Sequence, residues 1–241
     1  MRFLIALLLA LCLLSPAAPA GEPARILVFT KTAGFRHDSI PVAVDTVREL
    51  AWRQGWQVDH GEDAAAFTRD NLARYRVVVF ASTTGDVLDD AQQDALQAFV
   101  EGGGGFVGIH AAADTEYDWP WYGQLVGAWF RSHPPGFQAT RVTFADEGIA
   151  APGREWPVTD ELYNYRDNPR PRVRVVATVD ESAYEGGTMG ADHPIAWCHP
   201  VGRGRAWYTG LGHRGELYAD PTFRRHLLRG LRHAAGVSDG C

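Results

Sequence analysis

Apolar and polar positions along the chain predict strands and helices in turn. Short, continuous apolar runs rich in β-branched residues are typical of strands that are buried on both faces. Apolar residues at helical spacing follow most of these runs and predict helices between the strands. The predicted strands cover residues 25–30, 56–60, 76–82, 106–110 and 205–213, and the predicted helices cover residues 40–54, 89–103 and 221–235.

The ends of two predicted helices carry their own signals. Asp89 or Asp90 is expected to cap the helix that begins there, and Asp220 is expected to cap the last helix. Alternating strands and helices of this kind indicate an α/β fold with a parallel sheet covered on both faces. Residues 131–200 are the least regular part, and we expect them to form an elaboration beside the sheet.

The first residues predict export. Arg2 precedes an apolar run over residues 3–14, and small residues lead up to Ala20, which is the pattern of a secretory signal peptide. We expect cleavage after Ala20, which leaves residues 21–241 as one exported domain. The apolar run is shorter than the roughly 20 residues of a membrane span, so no stable membrane anchor is expected.

The composition of the chain bears on two questions: whether it binds nucleic acid and whether its cysteines form a disulfide. The chain has a net charge of −6 and no block of Lys and Arg, so a nucleic-acid partner is not expected. Cys198 and Cys241 remain after signal cleavage and could pair in an oxidising compartment. Two cysteines make no disulfide framework, however, and we expect Cys241, as the last residue, to be free.

Three histidines follow predicted strands. His37 follows the first strand, His110 ends the fourth, and His213 lies at the end of the last. Open parallel sheets bind ligands outside the carboxyl ends of their strands, so these imidazoles are predicted to share one cleft. His133 lies in the irregular region, which could close over the same edge.

Four separated stretches carry a family resemblance: "FTKTAGFRHDSIP", "GGGGFVGIHAAADTEYDWPWYGQLVGAWFRSHP", "TDELYNY" and "HPIAWCHPVGRGRAWYTGLGH". In this order they resemble the ThuA-like (trehalose utilisation) family of the class I glutamine amidotransferase-like superfamily. The resemblance implies a flavodoxin-like three-layer α/β/α sandwich with a mainly parallel central sheet. It also implies a small-molecule carbohydrate as the substrate.

The resemblance bears directly on His110. In glutamine amidotransferases the matching strand-to-helix turn carries a nucleophilic cysteine, whereas this chain has His110 between small residues. An imidazole cannot form the corresponding stable thioester, so amidohydrolase activity is disfavoured. An imidazole can instead exchange a proton near neutral pH.

The predicted site combines acid–base groups with groups that would bind a sugar. Some relatives are linked to pathways through 3-keto sugars, in which a carbonyl acidifies the neighbouring C–H bond and a histidine base could start elimination. The predicted catalytic residues are His110, Asp114, Glu161 and His37. The predicted substrate-binding residues are His133, Asp160, Tyr163, Trp119, Trp197, Arg205 and His213.

The sequence leaves two questions open: whether the site binds a metal, and whether the protein is an enzyme or a binding module. Three imidazoles and a carboxylate could hold zinc or another divalent metal, but no HxH or HExxH spacing fixes such a site, so a metal is not favoured. The hypothesis is an exported carbohydrate-active enzyme, a hydrolase or lyase that acts on a glycoside or keto-sugar. The alternative is a carbohydrate-binding module without turnover.

Overall fold

The structure is a computed structural model that describes residues 23–145, 155–238 and 240–241. The predicted signal peptide and its cleavage site lie outside the described residues. Within the described ranges, no helix has both the length and the apolar character needed to span a membrane.

Strands and helices alternate through the first half of the chain, as the sequence predicts. The strands are β1 (Arg25–Phe29), β2 (Gln57–Gly61), β3 (Val77–Ala81), β4 (Gly105–Ile109), β5 (Phe130–Ser132), β6 (Gln138–Phe144), β7 (Glu155–Asp160), β8 (Asn164–Tyr165), β9 (Arg174–Val179), β10 (His193–Val201) and β11 (Gly204–Thr209). The α-helices are α1 (Ile40–Trp52), α2 (Arg69–Leu72), α3 (Asp90–Glu101), α4 (Pro120–Val126) and α5 (Pro221–Ala234).

One large mixed sheet organises the molecule. Its strand order is β2-β1-β3-β4-β11-β10-β9-β6-β7, and β5 pairs separately with β8. The five strands from β2 to β11 run parallel, whereas β11, β10, β9, β6 and β7 are joined by antiparallel pairing. The parallel strands β3 and β4 are buried along their whole length, which explains their continuous apolar sequence.

Helices cover both faces of this sheet. Successive side chains of a strand point to opposite faces, and β11 shows both layers at adjacent residues. The ring of Trp207 lies 4.7 Å from that of His226 in α5, and the ring of Tyr208 lies 4.6 Å from that of Trp197. The indole of Trp197 in turn donates a hydrogen bond to Val126 in α4. The fold is therefore the three-layer α/β/α sandwich expected.

The helix caps are those that the sequence signals indicate. Asp89 forms a capping box with Gln92, in which each side chain accepts a hydrogen bond from the other residue's backbone N–H. Asp220 accepts hydrogen bonds from the first backbone N–H groups of α5, and Pro221 occupies the first turn. Both caps satisfy donors that would otherwise lack partners.

The prediction for residues 131–200 is wrong. Much of this region extends the central sheet, because β10, β9, β6 and β7 continue it beyond β11. Along β6 and β7 buried and exposed residues alternate, which is the pattern of strands with one solvated face. Short apolar runs broken by proline and charge concealed these strands in the sequence.

The prediction that Cys241 is free is also wrong. Cys241 forms a disulfide with Cys198 of β10, and both residues are buried. The segment after α5 returns to β10, and 43 positions separate the two cysteines along the chain. The spacing of two cysteines carries no information about such a return, so only the fold decides this pairing.

His226 is a buried histidine that belongs to the core. Its Nε2 lies 3.1 Å from Thr209 Oγ1, and its ring packs on Phe144 and Trp207. Burial, followed by the nearby charge of Arg229, lowers the pKa of His226 to about 3. Because the unfolded chain binds this proton near pH 6.5, acid favours the unfolded state.

The free energy of unfolding should therefore fall as the pH drops from 6.5 towards 3, and His226 should contribute about 1.4 kcal/mol per pH unit. His226→Gln should flatten this dependence by about one proton, because glutamine does not titrate. Denaturant unfolding at pH 7 and pH 5 measures the effect. Thr209→Val is the matched control, since it removes the partner but keeps the imidazole. Parallel pH profiles for the wild type and His226→Gln would contradict the prediction.

Candidate functional site

The candidate site forms where four strands end. His37 follows β1, His110 follows β4, Glu161 follows β7 and His213 follows β11. The pairing pattern makes these four strands run in the same direction, so their carboxyl ends lie at one edge of the sheet. This edge is where open α/β sheets bind their ligands.

The three predicted histidines lie together at this edge. The ring centroids of His37 and His110 are 4.8 Å apart, those of His37 and His213 are 5.0 Å apart, and those of His110 and His213 are 5.1 Å apart. The prediction that they meet at one edge of the sheet is confirmed, but of the three only His213 lines the cleft there, because His37 and His110 are buried. Their catalytic roles remain predictions.

His110 directly follows β4 and is the first residue of the short 3-10 helix His110–Asp114. Its φ of 50° is in the left-handed region, which residues other than glycine seldom adopt. Two hydrogen bonds hold it there: Nδ1 donates to the Gly210 carbonyl at 2.8 Å, and the Tyr208 hydroxyl donates to the His110 carbonyl at 2.8 Å. The imidazole is fully buried. We call His37, His110, Glu161 and His213 the inner layer of the site.

Glu161 is the centre of the cluster. Its Oε2 lies 3.1 Å from His213 Nδ1 and 3.4 Å from His110 Nε2, and its Oε1 lies 3.3 Å from His133 Nδ1. The His110 and His213 nitrogens that face Glu161 are themselves 3.1 Å apart. One carboxylate therefore joins three imidazoles from different segments.

These contacts shift the ionisation of the cluster. Burial alone would raise the pKa of Glu161, but hydrogen bonds with His110 and His213 outweigh it and hold the pKa well below its usual range. Burial alone would lower the pKa of His213, but the bond to Glu161 raises it. Burial, then repulsion by the other imidazoles, lowers the pKa of His37 to about 3.

Asp160 positions the loop that carries His213. It is fully buried, and its carboxylate accepts hydrogen bonds from the backbone N–H of Gly212 at 2.7 Å and of Arg214 at 2.9 Å. Gly212 has a φ of 120°, a conformation that other residues rarely adopt. The predicted contact between Asp160 and substrate disagrees with this burial, because both oxygens bind backbone on either side of His213.

Tyr163, His133 and Asp114 surround the cluster. The Tyr163 ring lies 4.3 Å from the His110 ring and is almost fully buried, so it forms a wall behind the histidines. His133 Nδ1 donates to the Pro134 carbonyl at 2.8 Å as well as facing Glu161. Asp114 is partly buried and accepts a hydrogen bond from Tyr117 at 2.6 Å, and burial raises its pKa.

The structure contradicts the substrate contacts predicted for Trp197 and Arg205, and the predicted role of Trp119, which is partly buried, stays a prediction. Trp197 is fully buried between the sheet and α4. Trp119 packs against Trp121, whose indole donates to Glu101 at the far end of α3. Arg205 lies near the start of β11, roughly 13 Å before its carboxyl end at a rise of about 3.3 Å per residue. The type of a residue, aromatic or cationic, does not show whether its side chain lies at the site or elsewhere in the fold.

The aromatic rings exposed at the site are two phenylalanines that the sequence analysis missed. The side chains of Phe35 and Phe137 are 65% and 52% exposed, and their rings lie 4.8 Å from His37 and 5.4 Å from His213. Both line an open cleft of about 610 Å³ with His213 and Arg214. Their positions in "GFRHD" and "HPPGF", close to candidate histidines, are the signal that could have identified them.

The inner layer has the composition of a metal site. One nitrogen or oxygen from each of four side chains lies within 4.8 Å of all the others, in a set that comprises His37, His110, Glu161 and His213. No local spacing of residues marks such a site, because its members come from four different strand ends. Their arrangement could hold one divalent cation.

Comparison with known proteins agrees with this fold and motif order. The family model described as trehalose utilisation, ThuA, matches residues 25–234, which is most of the chain. The chain belongs to the ThuA family. The resemblance of the sequence motifs to this family is thus confirmed. The family's link with trehalose utilisation indicates a carbohydrate-related role.

Solved structures show the same fold. A ThuA-like protein from Bacteroides uniformis ATCC 8492 is 23% identical with a TM-score of 0.73, over 90% of this chain and 94% of that chain. Another from Parabacteroides merdae ATCC 43184 is 21% identical with a TM-score of 0.71, over 91% and 92%. A β-galactosidase from Rahnella sp. R3 is 16% identical with a TM-score of 0.57, over 90% of this chain but only 32% of that chain. No curated protein matches this chain in sequence.

Replacement of Asp160 tests its positioning role. Asp160→Asn should lower the free energy of unfolding by about 1–3 kcal/mol, because the amide leaves one buried backbone N–H facing a donor. Asp118→Asn, at an exposed position, is the matched control and should change stability little. Chemical denaturation measures both variants. Equal stability of Asp160→Asn and the wild type would show that the carboxylate does not hold this loop.

Proposed function

We propose that this protein is an exported enzyme that acts on a glycoside or keto-sugar, with the histidine–glutamate cluster as its catalytic centre. One observation carries the proposal: His213 belongs both to the cluster and to the wall of the aromatic cleft. A ligand in this cleft would lie against the cluster. The family's link with trehalose utilisation supports a sugar as that ligand.

The cleft has the chemistry that a sugar needs. Its volume of about 610 Å³ is within the usual range for small-molecule sites. The exposed rings of Phe35 and Phe137 provide apolar surfaces on which the C–H face of a pyranose can pack. Asp38, Arg214 and Glu216 also line the cleft and offer charged hydrogen-bond partners for hydroxyl groups.

Of the three histidines that contact Glu161, His133 has the most exposed side chain, and we infer that it transfers the proton. Its side chain is 37% exposed, whereas that of His110 is fully buried. Nδ1 of His133 donates to the Pro134 carbonyl, so the neutral ring carries its proton on Nδ1 and has a lone pair on Nε2. Glu161 would stabilise the charge that the ring acquires when it accepts a proton. We therefore assign to His133 the proton-transfer role that the sequence suggested for His110.

The proposed step is an elimination on a keto-glycoside. His133 removes the proton from the carbon beside the carbonyl, and the electron pair of that C–H bond forms a C=C bond. The bond between the anomeric carbon and the glycosidic oxygen breaks, that oxygen takes a proton from solvent water and leaves as the alcohol, and the proton on His133 returns to solvent. On an unoxidised glycoside, the same residues would act in hydrolysis.

Product analysis with glycosides, including trehalose, and with their 3-keto derivatives tests this function. Loss of a general base typically costs 10²–10⁴-fold in rate, so His133→Asn should lower kcat by about that factor. Phe137→Ala should mainly raise KM, because it removes a sugar platform. His60→Asn is the matched control, since His60 contacts Thr30 away from the cluster.

Two outcomes would contradict the proposal. Sugar binding in calorimetry without any product from the wild type would identify a binding module instead. An unchanged kcat in His133→Asn would show that His133 takes no part in the reaction.

Amide hydrolysis through a cysteine has little support, because both cysteines in the described part of the chain form the disulfide.

Export is the second part of the proposal, and the disulfide supports it. Disulfides persist in oxidising compartments outside the cytosol, and the first 20 residues have the pattern of a signal peptide. Protein purified from its native host should begin at or near Gly21 and weigh two hydrogens less than its reduced form. Intact-mass measurement before and after reduction checks both. Retention of residues 1–20 would contradict export by cleavage.

A further inference from the structure

Three polar atoms of the cluster around Glu161 form a nearly equilateral triangle. His110 Nε2, His213 Nδ1 and Glu161 Oε2 are separated from each other by 3.1, 3.1 and 3.4 Å. Each atom thus faces two others at nearly equal distance. Such mutual convergence is typical of ligands around a shared cation.

The hydrogen bond of His110 to Gly210 determines which atom faces the triangle. A carbonyl accepts hydrogen bonds and cannot donate, so His110 Nδ1 must carry a proton. In the metal-free protein the hydrogen bond to Glu161 needs a second proton on Nε2, whereas in the neutral ring the lone pair of Nε2 and those of the carboxylate repel each other. A positive charge between them would turn this repulsion into attraction. Metal-bound histidines commonly have their other ring nitrogen bonded to a backbone carbonyl in this way.

His37 completes the set. It is 4% exposed, and its Nδ1 is buried without a hydrogen-bond partner among the described residues. Its ring contacts those of His110 and His213 edge to face. Burying an imidazole nitrogen without a partner costs free energy, which a ligand could recover.

The distances suit a tetrahedral metal ion. Zinc binds histidine nitrogen and carboxylate oxygen at about 2.0–2.2 Å, so neighbouring tetrahedral ligands are about 3.3 Å apart. The three measured separations of 3.1–3.4 Å match that value, and the ligand atom of His37 lies within 4.8 Å of the others. Nitrogen-rich sets of this kind favour zinc and similar transition metals over Mg²⁺ or Ca²⁺.

We propose that His37, His110, Glu161 and His213 bind one Zn²⁺ ion. The side chains of Glu161 and His213 are 10% and 20% exposed, so this side of the centre is open to solvent. A metal there could take a sugar carbonyl or hydroxyl as a further ligand and polarise it. The inference deepens the proposed function, because the ion lies beside His133, but metal binding is measurable without any sugar.

Zinc titration of the chelator-stripped mature protein tests the site. Calorimetry should find one Zn²⁺ per chain, and Co²⁺ should give the intense visible absorption of a tetrahedral complex. Glu161→Gln and His110→Asn should each weaken zinc binding by about 100-fold or more. Asparagine tolerates the left-handed conformation of residue 110, so the second variant should fold, and circular dichroism checks both.

Two controls separate the metal site from the proposed reaction. His60→Asn should bind zinc like the wild type, because His60 lies outside the cluster. His133→Asn should lose turnover but keep zinc, because His133 contacts Glu161 without belonging to the ligand set. A wild type that binds no stoichiometric zinc, or an affinity unchanged in Glu161→Gln and His110→Asn, would overturn the site. Loss of zinc in His133→Asn would overturn this choice of ligands. Zinc binding without sugar turnover would contradict only the proposed reaction.

Discussion

The carboxylate of Glu161 is the interaction on which the arrangement of the site depends. A carboxylate at the edge of a protein core is stable only when positive or hydrogen-bonding groups compensate for lost hydration. Here the partners are His110, His213 and His133, which come from three different segments. The loops that carry these residues are therefore tied to one another through a single side chain, and the site is only as ordered as that contact.

The sheet brings this carboxylate to the histidines. The parallel half of the sheet ends with His37, His110 and His213, whereas Glu161 comes from β7 at the far edge of the antiparallel half. Asp160, the last residue of β7, binds the backbone on both sides of His213. Neighbouring acidic residues thus have separate tasks: Asp160 fixes the loop, and Glu161 contacts its imidazole. The antiparallel extension is part of the site as well as of the fold.

The site also has two layers that differ in what they can do. His37 and His110 are buried, and the Gly210 carbonyl fixes the orientation of the His110 ring, which suits ligands of a metal better than groups that meet a substrate. His133 and the rings of Phe35 and Phe137 are exposed and can meet a sugar. In the proposed function, the buried turn that carries His110 holds the cluster in place, and the reaction takes place further out, towards the cleft.

Motifs and local patterns in the sequence are enough to predict the family, the parallel strands, the helix caps and the meeting of His37, His110 and His213. The histidines could be placed because strand periodicity and the common direction of parallel strands fix where the strand ends lie. The pairing of Cys198 with Cys241 and the core location of Trp197 become visible only in the folded chain. Burial and pairing depend on which distant segments pack together, and neither residue type nor spacing encodes that contact.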